Sequence, residues 1–223
     1  MNNGMLDLEY LARTPNAVVL SIGLAAFDRD AGAGPSFYAV LDRDEQTSQG
    51  RAVDAPTQAW WARQSPEARE AIWGAKQERV DAALAQLEEF VSFVTQSRIE
   101  DFLIWGNGAD NDNAKLENLY AWAGRPWPFS IRSARCYRTF KSMFPEWLAS
   151  AEAKERRVSH HNAQDDAEYQ ARCCVRMLRK QKAILDIADA VAVFGGLEDD
   201  FSVLYEGQDK EALREAFERY DRS

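Results

Sequence analysis

The order of strand-like and helix-like segments limits the possible folds of this chain more than any other feature. Segments rich in apolar, β-branched and aromatic residues, separated by Pro, Asn and Gly, predict an antiparallel meander of three strands at residues 5–9, 17–27 and 36–41. Two shorter strands are expected at residues 102–105 and 128–131, with helices around them. Strands that come first and then alternate with helices favour an α/β fold, a mixed five-stranded sheet flanked by helices.

Four helices are predicted in the first 180 residues. Residues 55–74 read as a helix with a break near Ser65 and Pro66, and residues 113–122 and 164–180 read as two more. The fourth covers residues 80–94, where the apolar residues fall on one helical stripe: Val80, Leu84, Leu87, Val91 and Val94. Such a stripe is typical of a helix that packs against a sheet.

The C-terminal part differs in composition from the rest. After Lys182, residues 184–194 and 210–220 look like two more helices, joined by a loop at Gly195 and Gly196 and an acidic stretch. The chain has a formal net charge of −9, and residues 197–223 contain nine acids and four bases. We therefore expect one domain at residues 1–182 and an acidic helical C-terminal extension at residues 183–223, packed on or near it.

Composition also narrows the cellular setting and the class of function. The longest apolar run, residues 17–27, is too short to span a bilayer, and no basic segment precedes an apolar one at the start. The three cysteines give neither a disulfide framework nor paired zinc spacing, so we expect buried thiols and a cytoplasmic protein that binds no membrane. The net negative charge argues against nonspecific binding along nucleic acid, but it does not exclude an enzyme that binds one strand end.

Two acids lie on the first predicted strand. Asp7 and Glu9 are two residues apart, so both side chains point to one face of the strand, while Leu6 and Leu8 point to the other. Two adjacent carboxylates repel each other unless a cation lies between them, and hard oxygen ligands suit Mg²⁺ or Mn²⁺. An exposed strand edge would also explain this pair.

A second acidic position begins the late helix. Asp166 shares a helical face with Tyr169, Cys173 and Met177, the face expected to pack inward, and a buried carboxylate needs a partner. A first-turn acid favoured by the positive helix end is the alternative, for which Asp165 would serve equally. His161 lies five residues before Asp166, just outside the helix, where it could act as a general base.

The third position lies in the run WGNGADNDNAKL at residues 105–116, between a predicted strand and a helix. It contains the two acids Asp110 and Asp112. A turn with helix caps would explain these residues adequately, because Asn and Asp are preferred in turns and at N-caps.

Taken together, these three motifs resemble those of the DEDDh 3'-5' exonucleases. The matching residues are Asp7-Leu8-Glu9, Asp112, and His161-Asn162-Ala163-Gln164-Asp165-Asp166-Ala167. Wider phrases, such as MLDLEYLARTPNAVVLSIGLAAFD and WWARQSPEAR, look like the phage and bacterial exoribonuclease branch related to RNase T. The similarity covers roughly residues 5–177.

The resemblance implies a fold, an activity and a role for each motif residue. The fold would be ribonuclease H-like. The activity would be metal-dependent hydrolysis of single-stranded DNA or RNA, or of 3' overhangs, from a free 3'-hydroxyl, with release of nucleoside 5'-monophosphates. Asp7 would bridge two divalent cations, Mg²⁺ or Mn²⁺, Glu9 and Asp166 would hold one of them, and Asp112 the other. His161 would take the proton from the attacking water. A homodimer would be unsurprising for this family.

Candidate substrate-binding residues are both basic and aromatic. Within residues 131–141, Arg132, Arg135, Arg138 and Lys141 recur every three residues and would form a basic stripe on a helix, either for phosphates or as a solvated face. The aromatic candidates for stacking terminal bases are Tyr10, Trp60, Trp61 and Tyr137, of which we expect at least two to belong to the core. The set that we select for substrate binding is Tyr10, Trp61, Asn107, Arg135 and Arg138.

Two departures from the family pattern limit these assignments. Asn111 stands where family members usually carry an aromatic residue, so the choice of Asp112 over Asp110 depends on the spacing to Leu116. Polar residues at positions 2–4 replace an apolar run, which predicts a shortened first strand.

Two alternative functions are considered: a nuclease-like binding module without turnover, and an oligonucleotide-clearing enzyme.

Overall fold

The computed structural model describes residues 1–96, 98–155, 161–195 and 219. Five strands form one sheet: β1 (Asn3–Tyr10), β2 (Val19–Asp28), β3 (Gly32–Val40), β4 (Leu103–Gly106) and β5 (Ala134–Cys136). Their order across the sheet is β3-β2-β1-β4-β5. The β1–β2 and β2–β3 pairs are antiparallel, and the β1–β4 and β4–β5 pairs are parallel. The predicted mixed five-stranded sheet is therefore confirmed.

Helices cover both faces of this sheet. They are α1 (Arg43–Ser48), α2 (Ala55–Trp61), α3 (Pro66–Trp73), α4 (Val80–Thr95), α5 (Asp112–Trp122), α6 (Tyr137–Met143), α7 (Pro145–Lys154) and α8 (Ala163–Gly195). The even-numbered residues Leu6 and Leu8 of β1 pack in a core with α4 and α5. Met5, on the other face, packs with Ala167 and Ala171 of α8. The alternation along β1 thus divides the interior into two layers.

Local sequence signals explain the helices that were predicted. The break between α2 and α3 falls at Ser65 and Pro66, where the Ser65 hydroxyl accepts a hydrogen bond from the Ala68 amide at 3.2 Å and caps α3. The predicted stripe of α4 is buried from Val80 to Val94. Helices α1, α6 and α7 were not predicted.

The predicted strand at residues 128–131 is wrong. This segment is a loop in which Phe129 is buried in the core and Ser133 closes a turn by donating to the Ser130 carbonyl at 2.9 Å. Its apolar character reflects packing of a loop residue, and Pro128 has no N–H for a sheet. The fifth strand lies three residues further on, where Ala134 pairs with Ile104.

Three further expectations are also corrected. Strand β1 is not shortened, since it begins at Asn3, whose side-chain oxygen accepts a hydrogen bond from the Trp105 indole at 3.0 Å. Residues 131–141 form a turn, β5 and the start of α6, so the basic residues there do not form one helical stripe. The predicted helix at residues 184–194 is not separate, because α8 continues unbroken to Gly195. The predicted helix at residues 210–220 lies outside the described residues apart from Arg219.

The thiols follow the expectation in part, since Cys173 and Cys174 are buried but Cys136 is half-buried. Among the described helices, none is both long enough and apolar enough to cross a membrane.

Candidate active site

Strand β1 brings Asp7 and Glu9 to the sheet face that α8 covers. The Gln170 side-chain amide of α8 donates to Asp7 Oδ1 at 2.9 Å, which places Asp7 directly under the helix. Glu9 is buried, with 8% of its surface exposed, and Asp7 is half-buried. The predicted common face of the two carboxylates is therefore present in the fold.

Gly23 allows the start of α8 to approach the sheet closely. It lies opposite Asp7 on β2. A Cβ atom at this position would lie 2.0 Å from the backbone oxygen of Ala163, the first residue of α8. Any side chain here would push the helix away from the sheet, so a glycine is needed to bring α8 next to Asp7.

Asn162 fixes the start of α8, and Asp166 lies in its first turn. The Asn162 side-chain oxygen accepts hydrogen bonds from the amides of Gln164 at 3.0 Å and Asp165 at 3.2 Å, as an N-cap residue does. Asp166 is 7% exposed and faces the sheet. The helix start therefore delivers one buried carboxylate to the carboxylates of β1.

His161 adopts a left-handed backbone conformation, with a φ of 62°. Its backbone amide donates to Asp166 Oδ2 at 3.1 Å, and its ring makes an edge contact with Trp60, with centroids 4.7 Å apart. A non-glycine residue with positive φ is uncommon and persists only when its surroundings hold it. Asp166 and Trp60 are contacts that hold His161 at the edge of the carboxylates.

Asp112 enters from the other side, as the first residue of α5, and is 4% exposed. The glycine-rich loop before it is closed by Arg138, whose guanidinium donates to the Asn107 carbonyl at 2.5 Å. Gly108 has a φ of 121°, and a Cβ atom there would lie 2.7 Å from that guanidinium. The loop thus places Arg138 across the approach to Asp112.

Burial and mutual repulsion make these carboxylates costly to ionise. Burial raises the pKa of Asp7 well above its usual range, and three neighbouring acids raise it further: Asp112, Glu9 and Asp166. The hydrogen bond from Gln170 acts in the opposite direction. Burial, followed by the charges of Asp166 and Asp112, raises the pKa of Glu9 to about 8.

Burial also raises the pKa of Asp112, but two basic side chains oppose part of this shift. Burial raises its pKa to about 7, while the charges of Lys115 and Arg138 oppose the shift. One ligand atom from each of Glu9, His161 and Asp166 lies within 4.8 Å of the others. A cluster that needs positive charge and offers carboxylate oxygens and an imidazole nitrogen can hold a divalent cation.

These groups line one cleft of about 370 Å³. The residues selected from the sequence that line it are Asp7, Glu9, Tyr10, Trp61, Asn107, Asp112, Arg138, His161 and Asp166. Among the described residues, the lining includes Asp112 but not Asp110, and Arg138 but not Arg135. Arg135 instead donates to the backbone oxygens of Arg132 and Ala134. Tyr137, the first residue of α6, is buried and belongs to the core.

Sequence reasoning missed several residues of this cleft. Arg13, Thr57 and Asn111 line it, and Gln170 and Lys115 contact its polar groups from behind. Gln170 lies four residues after Asp166 and thus on the same helical face, a spacing that could have identified it. No comparable signal marks Lys115, because a lysine on a helix usually faces solvent.

The model of the 3'-5' exoribonuclease Rv2179c-like domain matches residues 2–178. The chain belongs to this exoribonuclease family. The matched region contains the five described strands and every carboxylate of the cleft, and the predicted resemblance to 3'-5' exonucleases is confirmed. No curated protein matches the chain.

Solved structures of nucleases share the fold of this exoribonuclease family member. Cell-death related nuclease 4 (CRN-4) superposes with a TM-score of 0.56 at 12% identity, over 79% of this chain and 63% of the other. The nuclease domain of 3'hExo, a DEDDh family member bound to rAMP, gives a TM-score of 0.56 at 10% identity, over 79% of this chain and 90% of the other. The chain thus spans less than two thirds of the length of CRN-4. Both similarities support the ribonuclease H-like fold.

Proposed function

We propose that the chain is a metal-dependent exonuclease that releases nucleoside 5'-monophosphates from the 3' end of single-stranded nucleic acid. The observation that supports this most is the convergence of four carboxylates from β1, α5 and α8 in one cleft: Asp7, Glu9, Asp112 and Asp166. Buried acids that repel one another destabilise a fold, so their presence together calls for a functional reason.

The residues of the cleft suit two divalent cations, Mg²⁺ or Mn²⁺. Carboxylate oxygens are the ligands that these hard cations prefer, and the charges of Asp112, Glu9 and Asp166 all act on Asp7. We assign Glu9 and Asp166 to one cation, Asp112 to the other, and Asp7 to both. When bound, the cations would neutralise phosphate charge and favour ionisation of the attacking water.

His161 is the proposed general base. It would accept a proton from the water whose oxygen attacks the terminal phosphorus, and Asp166, which accepts from the His161 backbone amide, would keep its ring in position. The bond from phosphorus to the 3'-oxygen of the preceding nucleotide would break. The phosphate then leaves on the departing nucleoside, and the shortened strand keeps a 3'-hydroxyl.

The size and lining of the cleft suit a strand end. A volume of about 370 Å³ lies near the lower end of the range for small-molecule sites, which fits one terminal nucleotide better than an internal duplex segment. Trp60 offers an aromatic surface, and Arg13 and Arg138 offer positive charge to the backbone. Family membership favours RNA, and we propose RNA 3' ends as the main substrate.

The test compares RNA and DNA oligonucleotides of increasing length, labelled at the 5' end, with Mg²⁺, with Mn²⁺ and with EDTA. We expect stepwise shortening that EDTA abolishes, and release of nucleoside 5'-monophosphate. Asp7→Asn should abolish cleavage without unfolding the protein. Asp110→Asn is the matched control, because Asp110 does not line the cleft, and this variant should retain cleavage. Undiminished cleavage in EDTA would refute the mechanism, and binding without cleavage would instead support a binding module.

A further inference from the structure

A buried lysine lies beneath the cleft and is not among the residues proposed to bind the cations or act on the attacking water. Lys115, on α5, is 1% exposed. Its ammonium group lies 4.1 Å from the centre of the Tyr10 ring and donates to the Arg13 backbone oxygen at 3.3 Å. It also donates to the side-chain oxygen of Asn111, one helical turn away. A buried ammonium group is expensive, so these contacts point to a specific use.

Lys115 and Asp112 together fix the orientation of the Asn111 amide. An ammonium group only donates hydrogen bonds, so the Asn111 atom that faces it must be the oxygen. The amide nitrogen then faces Asp112 Oδ1 at 3.3 Å, and this carboxylate, which is ionised when it holds a cation, only accepts. Rotating the amide by 180° would place its NH₂ group against the Lys115 ammonium group and its oxygen against the Asp112 carboxylate. The assignment therefore follows from two independent neighbours.

The orientation of the Asn111 amide determines the hydrogen bonding of the Tyr10 hydroxyl. The Asn111 nitrogen donates to the Tyr10 hydroxyl oxygen at 3.0 Å, so this oxygen acts as an acceptor. Its own hydrogen finds no acceptor among the described residues, and Tyr10 lines the cleft. Lys115 covers one face of the ring, so the phenol is held by both its ring and its oxygen. The cleft thus contains an oriented O–H donor.

We propose that Tyr10 donates this hydrogen to an oxygen of the terminal nucleotide, with Asn111 and Lys115 as positioning residues; the inference rests on the proposed function. The carboxylates that suit the cations can only accept hydrogen bonds, so donors for the substrate must come from elsewhere in the cleft. Tyr10 is next to Glu9 in sequence, and the Asn111 side-chain nitrogen links it to Asp112 by donating one hydrogen bond to each. The recognised group is an acceptor oxygen, either a sugar hydroxyl or a phosphate oxygen.

The first experiment measures binding in Mn²⁺ by tryptophan fluorescence, since Trp60 and Trp61 line the cleft. The probes are AMP and three analogues, each without one group: 2'-deoxy-AMP, 3'-deoxy-AMP and adenosine. Tyr10→Phe should weaken AMP binding by about 3- to 10-fold, the effect of one hydrogen bond. For the analogue that lacks the recognised oxygen, wild type and Tyr10→Phe should bind equally, which identifies the sugar or the phosphate as the acceptor.

Several outcomes would overturn the inference. Equal AMP affinity of the two proteins would do so, as would a Tyr10→Phe loss that persists with all three analogues, because that loss would be structural. A wild type that binds none of the probes would also count against it. Thermal unfolding and Mn²⁺ affinity without nucleotide should be the same for wild type and Tyr10→Phe.

The second experiment tests the positioning role of Asn111. Asn111→Asp replaces the donating amide with a carboxylate that only accepts, so the Tyr10 hydrogen should turn towards it and away from the nucleotide. We expect a loss of AMP affinity that Tyr10→Phe does not increase further. If the losses of AMP affinity were additive in the Tyr10→Phe, Asn111→Asp double variant, the positioning role of Asn111 would be refuted.

These assays measure binding and need no turnover. A wild type that binds AMP but cleaves no strand would refute the proposed function and leave the Tyr10 test intact. Strand cleavage with no effect of Tyr10→Phe on binding would refute the inference alone.

Discussion

Replacing Glu9 with glutamine should stabilise the metal-free protein, and increasingly so as the pH rises. Burial and two neighbouring acids raise the pKa of Glu9 from 4.5 to about 8. Between these values the folded protein keeps a proton that the unfolded chain releases, so the wild type loses stability as the pH rises through this interval. Glutamine has nearly the same shape and carries no ionisable proton, so it removes this loss.

The size of the effect follows from the same interval. One pH unit corresponds to about 1.4 kcal/mol, which gives roughly 5 kcal/mol between pH 4.5 and 8 as an upper limit. Asp166 and Asp112 remain beside the amide and still repel each other, so we expect about 2–3 kcal/mol at pH 8.5. For a chain of this length this raises the melting temperature by about 5–10 °C, and by only about 1–4 °C at pH 5.5.

The assay is thermal unfolding in EDTA at both pH values, followed by circular dichroism. Asp110→Asn is the matched control, since it removes an exposed acid that lies outside the cleft lining, and its effect should stay within about 0.5 kcal/mol. Saturating Mn²⁺ should stabilise the wild type more than Glu9→Gln, because it binds the intact site more tightly. A Glu9→Gln variant that is no more stable than wild type at pH 8.5 would refute the argument from repulsion.

Three further predictions concern the base, the helix start and the strand end. His161→Ala should lower kcat by about 10²- to 10⁴-fold in steady-state assays, whereas His160→Ala should have little effect, and equal small losses would contradict the assigned base. Gly23→Ala should destabilise the fold by about 1–3 kcal/mol in denaturant unfolding, because its Cβ would overlap the Ala163 carbonyl; an unchanged midpoint would argue against that close approach. A 3'-phosphate should block digestion of an oligonucleotide and a 5'-phosphate should not, while a circular strand cut as fast as a linear one would indicate an endonuclease.

The sequence by itself determined the elements whose signals are local. Alternation placed Asp7 and Glu9 on one face of β1, and the period of 3.6 identified α4 and the inward face of α8. Ser65 and Pro66 marked the helix break through capping and a missing N–H. Helical spacing made Asp166 and His161 candidates, and the resemblance to the exonuclease motif selected them. Such features depend on residues only a few positions apart, so they can be seen in the sequence.

Tertiary structure alone decided the features that depend on distant partners. Strand β5 is defined by pairing with β4, and its residues Ala134–Cys136 have no apolar pattern of their own. Lys115 is buried beneath Tyr10 although lysine usually faces water. In each case the deciding contact forms only when the packed sheet and helices bring the two segments together, and no local pattern encodes it.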